Sequence, residues 1–335
     1  MKRILGTGLL TLALAACGSE SNVEDTPAAP QPPAETTDEG TTSEDGANGT
    51  EGAQTEAGQT SFTVDDAMAG SWRTDEETAR DQYRNPAETL EFFGIEGDDT
   101  VVEIWPGGGW YTNILAPWLN ENGGQLITAT YNPERSERAA QVVEDFKTNY
   151  NANPDTFGTI DYTVFGAESG ALTEPGTVDA VLTFRNLHNW MSGDYAEKFF
   201  DDAYASLKPG GVLGVVEHRL PSSTEQDPSA ASGYVHEDYV KGLAEAAGFE
   251  FEASSDINAN PDDTADHPFG VWTLPPVSRT EDADGNTPED FNPQTYLDIG
   301  ESDRMTLKFV KPADDGSDGA MKTDAETEAE PAPEE

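Results

Sequence analysis

Cysteine is almost absent from this chain of 335 residues. Cys17 stands alone, so no intramolecular disulfide can form and pairing says nothing about redox compartment. Bases are scarce as well: 18 Lys and Arg face 65 Asp and Glu, for a formal net charge of −47. Residues 18–60 hold ten acids and no base, and residues 313–335 hold nine acids and Lys322. Most of the excess therefore belongs to the middle of the chain. Such a surface repels phosphate backbones, so nucleic acid is not expected as a partner, and nothing points to a protein partner. It also suits a solvation role in salty water, where charge is screened within about 10 Å or less. Histidine is limited to His188, His218, His236 and His267, whose spacing matches no metal-ligand pattern, so no metal site is expected. No apolar run reaches the roughly 20 residues of a membrane-spanning helix.

The longest apolar run, Ile4 to Ala15, follows Lys2 and Arg3 and ends in Leu14-Ala15-Ala16-Cys17-Gly18. A short positive region, an apolar stretch and small residues form an export address. The final five residues resemble the lipobox of bacterial lipoproteins. That resemblance implies removal of residues 1–16 and lipidation of Cys17. Several acyl chains anchor firmly, at about 0.8 kcal/mol per buried CH2. The expected location is the cell envelope, on the periplasmic or outer side, with membrane attachment through Cys17. Gly18 follows the cysteine, not the Asp that in enteric bacteria would disfavour the outer membrane. Residues 17–60 then read as an acidic tether and 313–335 as an acidic tail, both with little to bury. One domain is expected over residues 61–312.

Within it, Thr74 with Asp75, Glu76 and Glu77 opens a helix over 74–93 that Pro86 breaks or restarts. Strands are expected at 100–105, 125–130, 160–165, 178–184, 212–217, 249–253 and 305–310. Helices are expected at 111–119, 133–149, 195–207 and 237–247. Alternating strands and helices argue an α/β fold, with a doubly wound parallel sheet and helices on both faces. The apolar run at 178–184 marks a strand buried on both sides. Residues 255–303 read as an insertion over the active face.

The most informative stretch is Val101-Val102-Glu103-Ile104-Trp105-Pro106-Gly107-Gly108-Gly109-Trp110-Tyr111-Thr112. A strand ends in an acid, and a glycine-rich turn opens a helix. Glycine permits positive φ and close backbone approach, and ligands of doubly wound sheets bind at the carboxyl ends of strands. The bare alternative is a tight turn with no ligand.

This stretch resembles motif I of class I S-adenosylmethionine-dependent methyltransferases. The whole string looks like a bacterial branch with a Glu-x-Trp-Pro-Gly-Gly-Gly-Trp-Tyr-Thr motif. Residues 79–86, 183–190 and 302–309 share that likeness, which spans about residues 72–312. The family implies a Rossmann-like sheet of seven strands, mostly parallel with an antiparallel last strand. It also implies S-adenosylmethionine as cofactor and a small-molecule acceptor. Carried over by position, Glu103 takes the place of the motif acid, and Gly107 and Gly109 those of the second and third glycines. Trp105 stands where the first glycine usually is. Thr130 or Tyr131 replaces the ribose-binding acid after the second strand. Glu168 lies where the adenine edge is read. Arg185 and Asn186 fall in a region like motif IV, on the cofactor side, where Arg185 either holds a carboxylate, the cofactor's included, or pairs with one of the many acids. Trp105, Trp110 and Tyr111 are placed to contact a cationic sulfonium.

His188, in the same region, is either a general base or a histidine that packs locally. Glu217 and His218 end the fifth strand facing the same cleft. His236 and His267 rank lower, the latter in a candidate lid with Trp272. Two functions remain open: methyl transfer to a small acceptor, or an exported ligand-binding module that keeps the fold without the reaction. The second is favoured by the export address, because the cofactor is made in the cytoplasm.

Overall fold

A computed structural model describes residues 61–313. The expected signal peptide, the lipidated Cys17, the tether to residue 60 and the tail from 314 lie outside the described residues. Among the described residues, no helix is long and apolar enough to cross a membrane.

The chain opens with α1 (Val64–Met68), α2 (Asp75–Thr78), α3 (Asp81–Arg84) and α4 (Pro86–Phe93). Residues 74–93 thus form three short helices in place of one with a break. Thr74 does cap α2, and its hydroxyl accepts from the Glu77 amide while the Glu77 carboxylate accepts from the Thr74 amide. Asn85, at φ 38, ends α3, and Pro86 sits in the first turn of α4, where its missing N–H costs nothing.

β1 (Thr100–Ile104) follows, then α5 (Thr112–Asn122), β2 (Gln125–Thr130), α6 (Glu137–Asn151) and α7 (Pro154–Phe157). Ser136 caps α6 by accepting from the Ala139 amide, so the helix begins four residues later than expected. β3 (Asp161–Val164), β4 (Val178–Phe184), α8 (Leu187–Ser192), α9 (Ala196–Ser206) and β5 (Leu207–His218) come next. The chain continues with α10 (Glu237–Ala247), β6 (Glu250–Ser255), the short β7 (Pro268–Val271), α11 (Pro293–Ile299) and β8 (Arg304–Val310).

Seven strands form one sheet in the order β3-β2-β1-β4-β5-β8-β6. The pairs through β5 are parallel, while β8 runs antiparallel to both neighbours, β5 and β6. Counting only sheet strands, the order is 3-2-1-4-5-7-6, the Rossmann-like methyltransferase arrangement. α1, α7, α8, α11 and β7 were not expected from the sequence. All are short, and their apolar residues have too few turns to show a period.

Helices cover both faces because the strands are apolar on both. Val102, Ile104, Val181 and Val215 join one core with Trp190, Phe199 and Phe200 from α8 and α9. Val101, Ala180, Leu182 and Val216 join the other with Leu90 and Phe93 of α4, Ile114 and Leu115 of α5, and Phe146 of α6. Adjacent residues of one strand belong to opposite cores, as the two-residue period requires.

Candidate active site

The carboxyl ends of β1, β2, β4 and β5 share one edge of the sheet, and the chain leaves that edge under strain at two points. Trp105, just past β1, has φ 48, and Arg185, just past β4, has φ 63. A non-glycine residue in this region costs on the order of 1–2 kcal/mol, and such strain clusters at functional sites. Neighbouring backbone holds both residues: the Trp105 amide donates to the Ala129 carbonyl at 2.8 Å, and the Arg185 amide to the Val216 carbonyl at 2.7 Å.

The two glycines of the turn differ. Gly107 has φ +60, and a Cβ there would meet nothing within 4 Å. It opens onto a cleft with Pro106, Thr130, Tyr131, Val142, Val143 and Phe146. Gly109 has φ +88, and a Cβ would come within 1.9 Å of the Tyr150 hydroxyl. That hydroxyl is 2.9 Å from Asn113 Oδ1 and 3.2 Å from the Gly109 carbonyl oxygen. Gly109 therefore serves a close approach within the protein, and Gly107 faces open space. The open glycine and the start of α5 fit a ligand whose polar end must approach the backbone closely, as S-adenosylmethionine would.

Other expected cofactor residues stand differently. Glu103 is buried at 2% exposure and does not line the cleft beside Gly107; the Thr112 hydroxyl donates to its Oε2 at 2.6 Å. Burial pushes the Glu103 carboxyl up to about 7, against the pull of that hydrogen bond. The folded value then exceeds the unfolded one, so the folded state binds the extra proton and stability falls as pH rises from about 4.5 to about 7. Glu103→Gln is expected to remove this loss and to gain about 3 kcal/mol over wild type at pH 8, with little difference at pH 4.5. Urea midpoints at the two pH values decide it; parallel pH curves for the two proteins would refute the assignment.

Thr130 is buried, and its hydroxyl lies 3.2 and 3.3 Å from the Thr163 and Tyr131 carbonyl oxygens, to which it donates, so its proton is not available to a ribose. Tyr131 is left as the polar side chain on that side. Glu168 is exposed on the loop after β3. Asn186 is buried, and its Nδ2 donates to the Ile104 carbonyl at 2.9 Å, tying the end of β4 to the end of β1. Trp110 is a platform for Arg84 and Arg73, 4.5 and 5.2 Å from its ring, and Tyr111 stacks on Phe184 at 3.6 Å. Of the three aromatics expected near a sulfonium, only Trp105 stands at the turn without such an engagement to a cation or to Phe184. Its indole Nε1 donates to the Phe165 carbonyl at 3.0 Å, and its ring packs on Tyr131 at 4.7 Å.

On the β4–β5 side, His188 sits on α8 and is buried, with its Nδ1 3.1 Å from Glu217 Oε1. Glu217 is fully buried and also accepts from the Leu187 amide at 2.6 Å and the His218 amide at 2.8 Å. His188 Nε2 lies 3.1 Å from Asn189 Nδ2. His218 Nδ1 lies 2.6 Å from Ser302 Oγ, and burial, then His188, Arg185 and Arg304, hold its imidazole well below the usual value. His188, Glu217 and His218 offer one ligand atom each within 4.8 Å of one another. The fold joins residues 29 and 30 positions apart here, which spacing along the chain does not show. The Glu217 oxygens already accept three hydrogen bonds, and Arg185 and Arg304 act on His218, so the trio reads as a hydrogen-bonded acid–base set. His236 and His267 are not part of it. His236 Nε2 lies 3.2 Å from the Pro221 carbonyl oxygen, and His267 Nε2 lies 2.7 Å from Asp263. Trp272, from the inserted stretch, does reach the set, 6.0 Å from the His188 ring.

A second, narrow cleft adjoins this region, lined by Arg84, Tyr111, Phe184, Arg185, Val216, Asn258 and Arg304. Sequence reasoning missed its two buried arginines, Arg84 and Arg304. Arg84 lies far from the motif in sequence, and both look like ordinary surface bases in a line of text.

The sheet order and the glycine turn thus define an α/β domain of the class I methyltransferase architecture. Residues 102–215 match the family model of a methyltransferase domain. Among solved structures, the chain is similar to a SAM-dependent methyltransferase from Aquifex aeolicus, at 19% identity, covering 54% of this chain and 87% of that one, with a TM-score of 0.40. It is also similar to the CcbJ methyltransferase from Streptomyces caelestis, at 13% identity, 72% and 99% coverage and a TM-score of 0.42. A third similar structure is the [4+2]-cyclase SpnF, at 17% identity, 73% and 83% coverage and a TM-score of 0.45. No curated protein matches the sequence.

Proposed function

We propose that the chain moves a methyl group from S-adenosylmethionine to a small acceptor, in a domain tethered to the cell envelope through Cys17. The observation that carries this reading is Gly107, at positive φ beside open space, in a turn between β1 and α5 within the matched methyltransferase region. The cofactor supplies an electrophilic methyl group on a sulfonium. The chain supplies alignment, the largest contribution to an in-line displacement. Gly107 lets the backbone approach, Tyr131 offers a hydroxyl on the ribose side, and Trp105 gives an aromatic edge beside the turn.

Proton removal falls to His188. Glu217 accepts from its Nδ1–H, which leaves the lone pair on Nε2. An O–H or N–H acceptor that displaced the Asn189 amide would give its proton to Nε2, and Glu217 would stabilise the imidazolium. Glu217 is a positioning residue here, itself fixed by the Leu187 and His218 amides.

The purified full chain is expected to bind S-adenosylhomocysteine in calorimetry, with Gly107→Val abolishing the heat and leaving the melting temperature of the domain within a few degrees. No heat from wild type at millimolar ligand would sink the reading. A second reading, an exported ligand-binding module, draws on one observation. Trp105 packs on Tyr131 and bonds the end of β3, beside a strand whose acid is missing. Native purification with a retained ligand whose mass contains no adenosyl group would favour it.

A further inference from the structure

In a chain of net charge −47, the second cleft is an island of positive charge. Arg84 comes from the N-terminal helices, Arg185 from the end of β4, and Arg304 from the start of β8. Arg80 stands behind them. The carboxylate among these four guanidiniums is Glu301, buried at 2% exposure. Arg80 Nε reaches its Oε1 at 2.6 Å, Arg84 Nε reaches Oε2 at 3.2 Å, and Arg304 Nη2 bonds Oε2 as well. His218 is held neutral, and Glu217 is committed to His188 and two amides.

The cations are also incompletely bonded. Arg84 and Arg304 are 4% and 2% exposed, yet Arg84 Nη2 and Arg304 Nε have no hydrogen-bond partner. Buried donors on charged groups are costly to leave unmet. Burial, followed by Arg185, drives the Arg84 guanidinium well below its usual value, with Glu301 opposing. The site is strained in the way an arriving anion relieves. Tyr111 and Phe184, stacked 9° from parallel, wall the narrow cleft.

We propose that Arg84, Arg185 and Arg304 form a subsite for an oxyanion, a carboxylate or phosphate, carried by the methyl acceptor. This rests on the methyl-transfer reading for the word acceptor, while the anion site stands on its own geometry. The cleft shares no lining residue with the one beside Gly107 and Thr130, so the two ends of a reacting pair have separate seats. Guanidinium forks suit both oxyanions through paired N–H donors.

The test uses the full chain with inorganic phosphate and with acetate as probes, at ionic strength matched with chloride. Either probe is expected to raise the melting temperature by about 3 °C near ten times its dissociation constant. Arg84→Gln is expected to weaken phosphate binding about tenfold or more and to leave S-adenosylhomocysteine binding unchanged. Arg84→Lys, which keeps the charge and loses the fork, is the second variant should Arg84→Gln fail to fold, with the same direction expected. Equal shifts with chloride alone, or equal shifts in wild type and variant, overturn the subsite. Loss of S-adenosylhomocysteine binding in the variant, with phosphate competing against that ligand, assigns the anion to the cofactor's own carboxylate and overturns the acceptor. Phosphate protection in a wild type that binds no S-adenosylhomocysteine upholds the site while refuting methyl transfer.

Discussion

Glu301→Gln is expected to lower folding stability by about 3–5 kcal/mol, the range for breaking a buried ion pair by removing one partner. The substitution keeps the shape of the side chain and removes the charge that Arg80, Arg84 and Arg304 share. Burial alone would push the Glu301 carboxyl up, but Arg304, Arg84, Arg185 and Arg80 outweigh it and hold it well below the usual range. Because the folded value is depressed, the contribution is present in full above the ordinary glutamate value and is lost only as pH falls through the folded one. The deficit of the variant should therefore stay constant from about pH 6 to pH 9 and shrink in acid. Denaturant melts across that range measure it. A deficit under about 1 kcal/mol, the size of an exposed pair, would show that the arginines do not depend on Glu301. The triple variant Glu301→Met, Arg84→Met and Arg304→Met should recover part of the loss, since apolar side chains of similar volume then replace the buried ionic set.

Gly109→Ala is expected to cost about 3 kcal/mol, against about 1 kcal/mol for Gly107→Ala. Both positions have positive φ, so both bear the backbone penalty. Only at Gly109 does the new methyl collide, 1.9 Å from the Tyr150 hydroxyl, which is held by α6. Tyr150→Phe in the Gly109→Ala background should return about 1 kcal/mol by removing the oxygen in conflict. Equal costs at the two glycines would mean that Tyr150 moves aside freely. Thermal or urea melts of the four proteins settle the comparison.

Much of the fold was legible because periodicity is local. The apolar run at 178–184 and the alternation of strands with helices announced a doubly wound sheet, and α10 began and ended where the sequence put it. Thr74 declared its cap through Glu77 three residues on. What failed was also local in cause. α8 has 6 residues, too few for a helical period, so the helix that carries His188 went unseen.

The site was legible only in part. Gly107 could be placed beside a ligand from the motif, but nothing in the motif separates it from Gly109, because the difference lies in Tyr150, 41 residues away. Glu103 and Thr130 turned inward for the same reason. Their partners, Thr112 and the Thr163 carbonyl, are neighbours only once β1, α5 and β3 have packed.

The sequence by itself determined the class of fold, the glycine turn at the end of β1 and the acidic character of the chain. These follow from residue type and spacing along a few turns or one strand. The sequence also put His188, Glu217 and His218 on one cleft, but tertiary structure alone decided their hydrogen bonds and that Arg84, Arg185 and Arg304 gather round Glu301. Arg84 and Glu301 are 217 residues apart. Only closure of the sheet, with β8 inserted between β5 and β6, brings such distant charges into one low-dielectric pocket where they act on each other strongly.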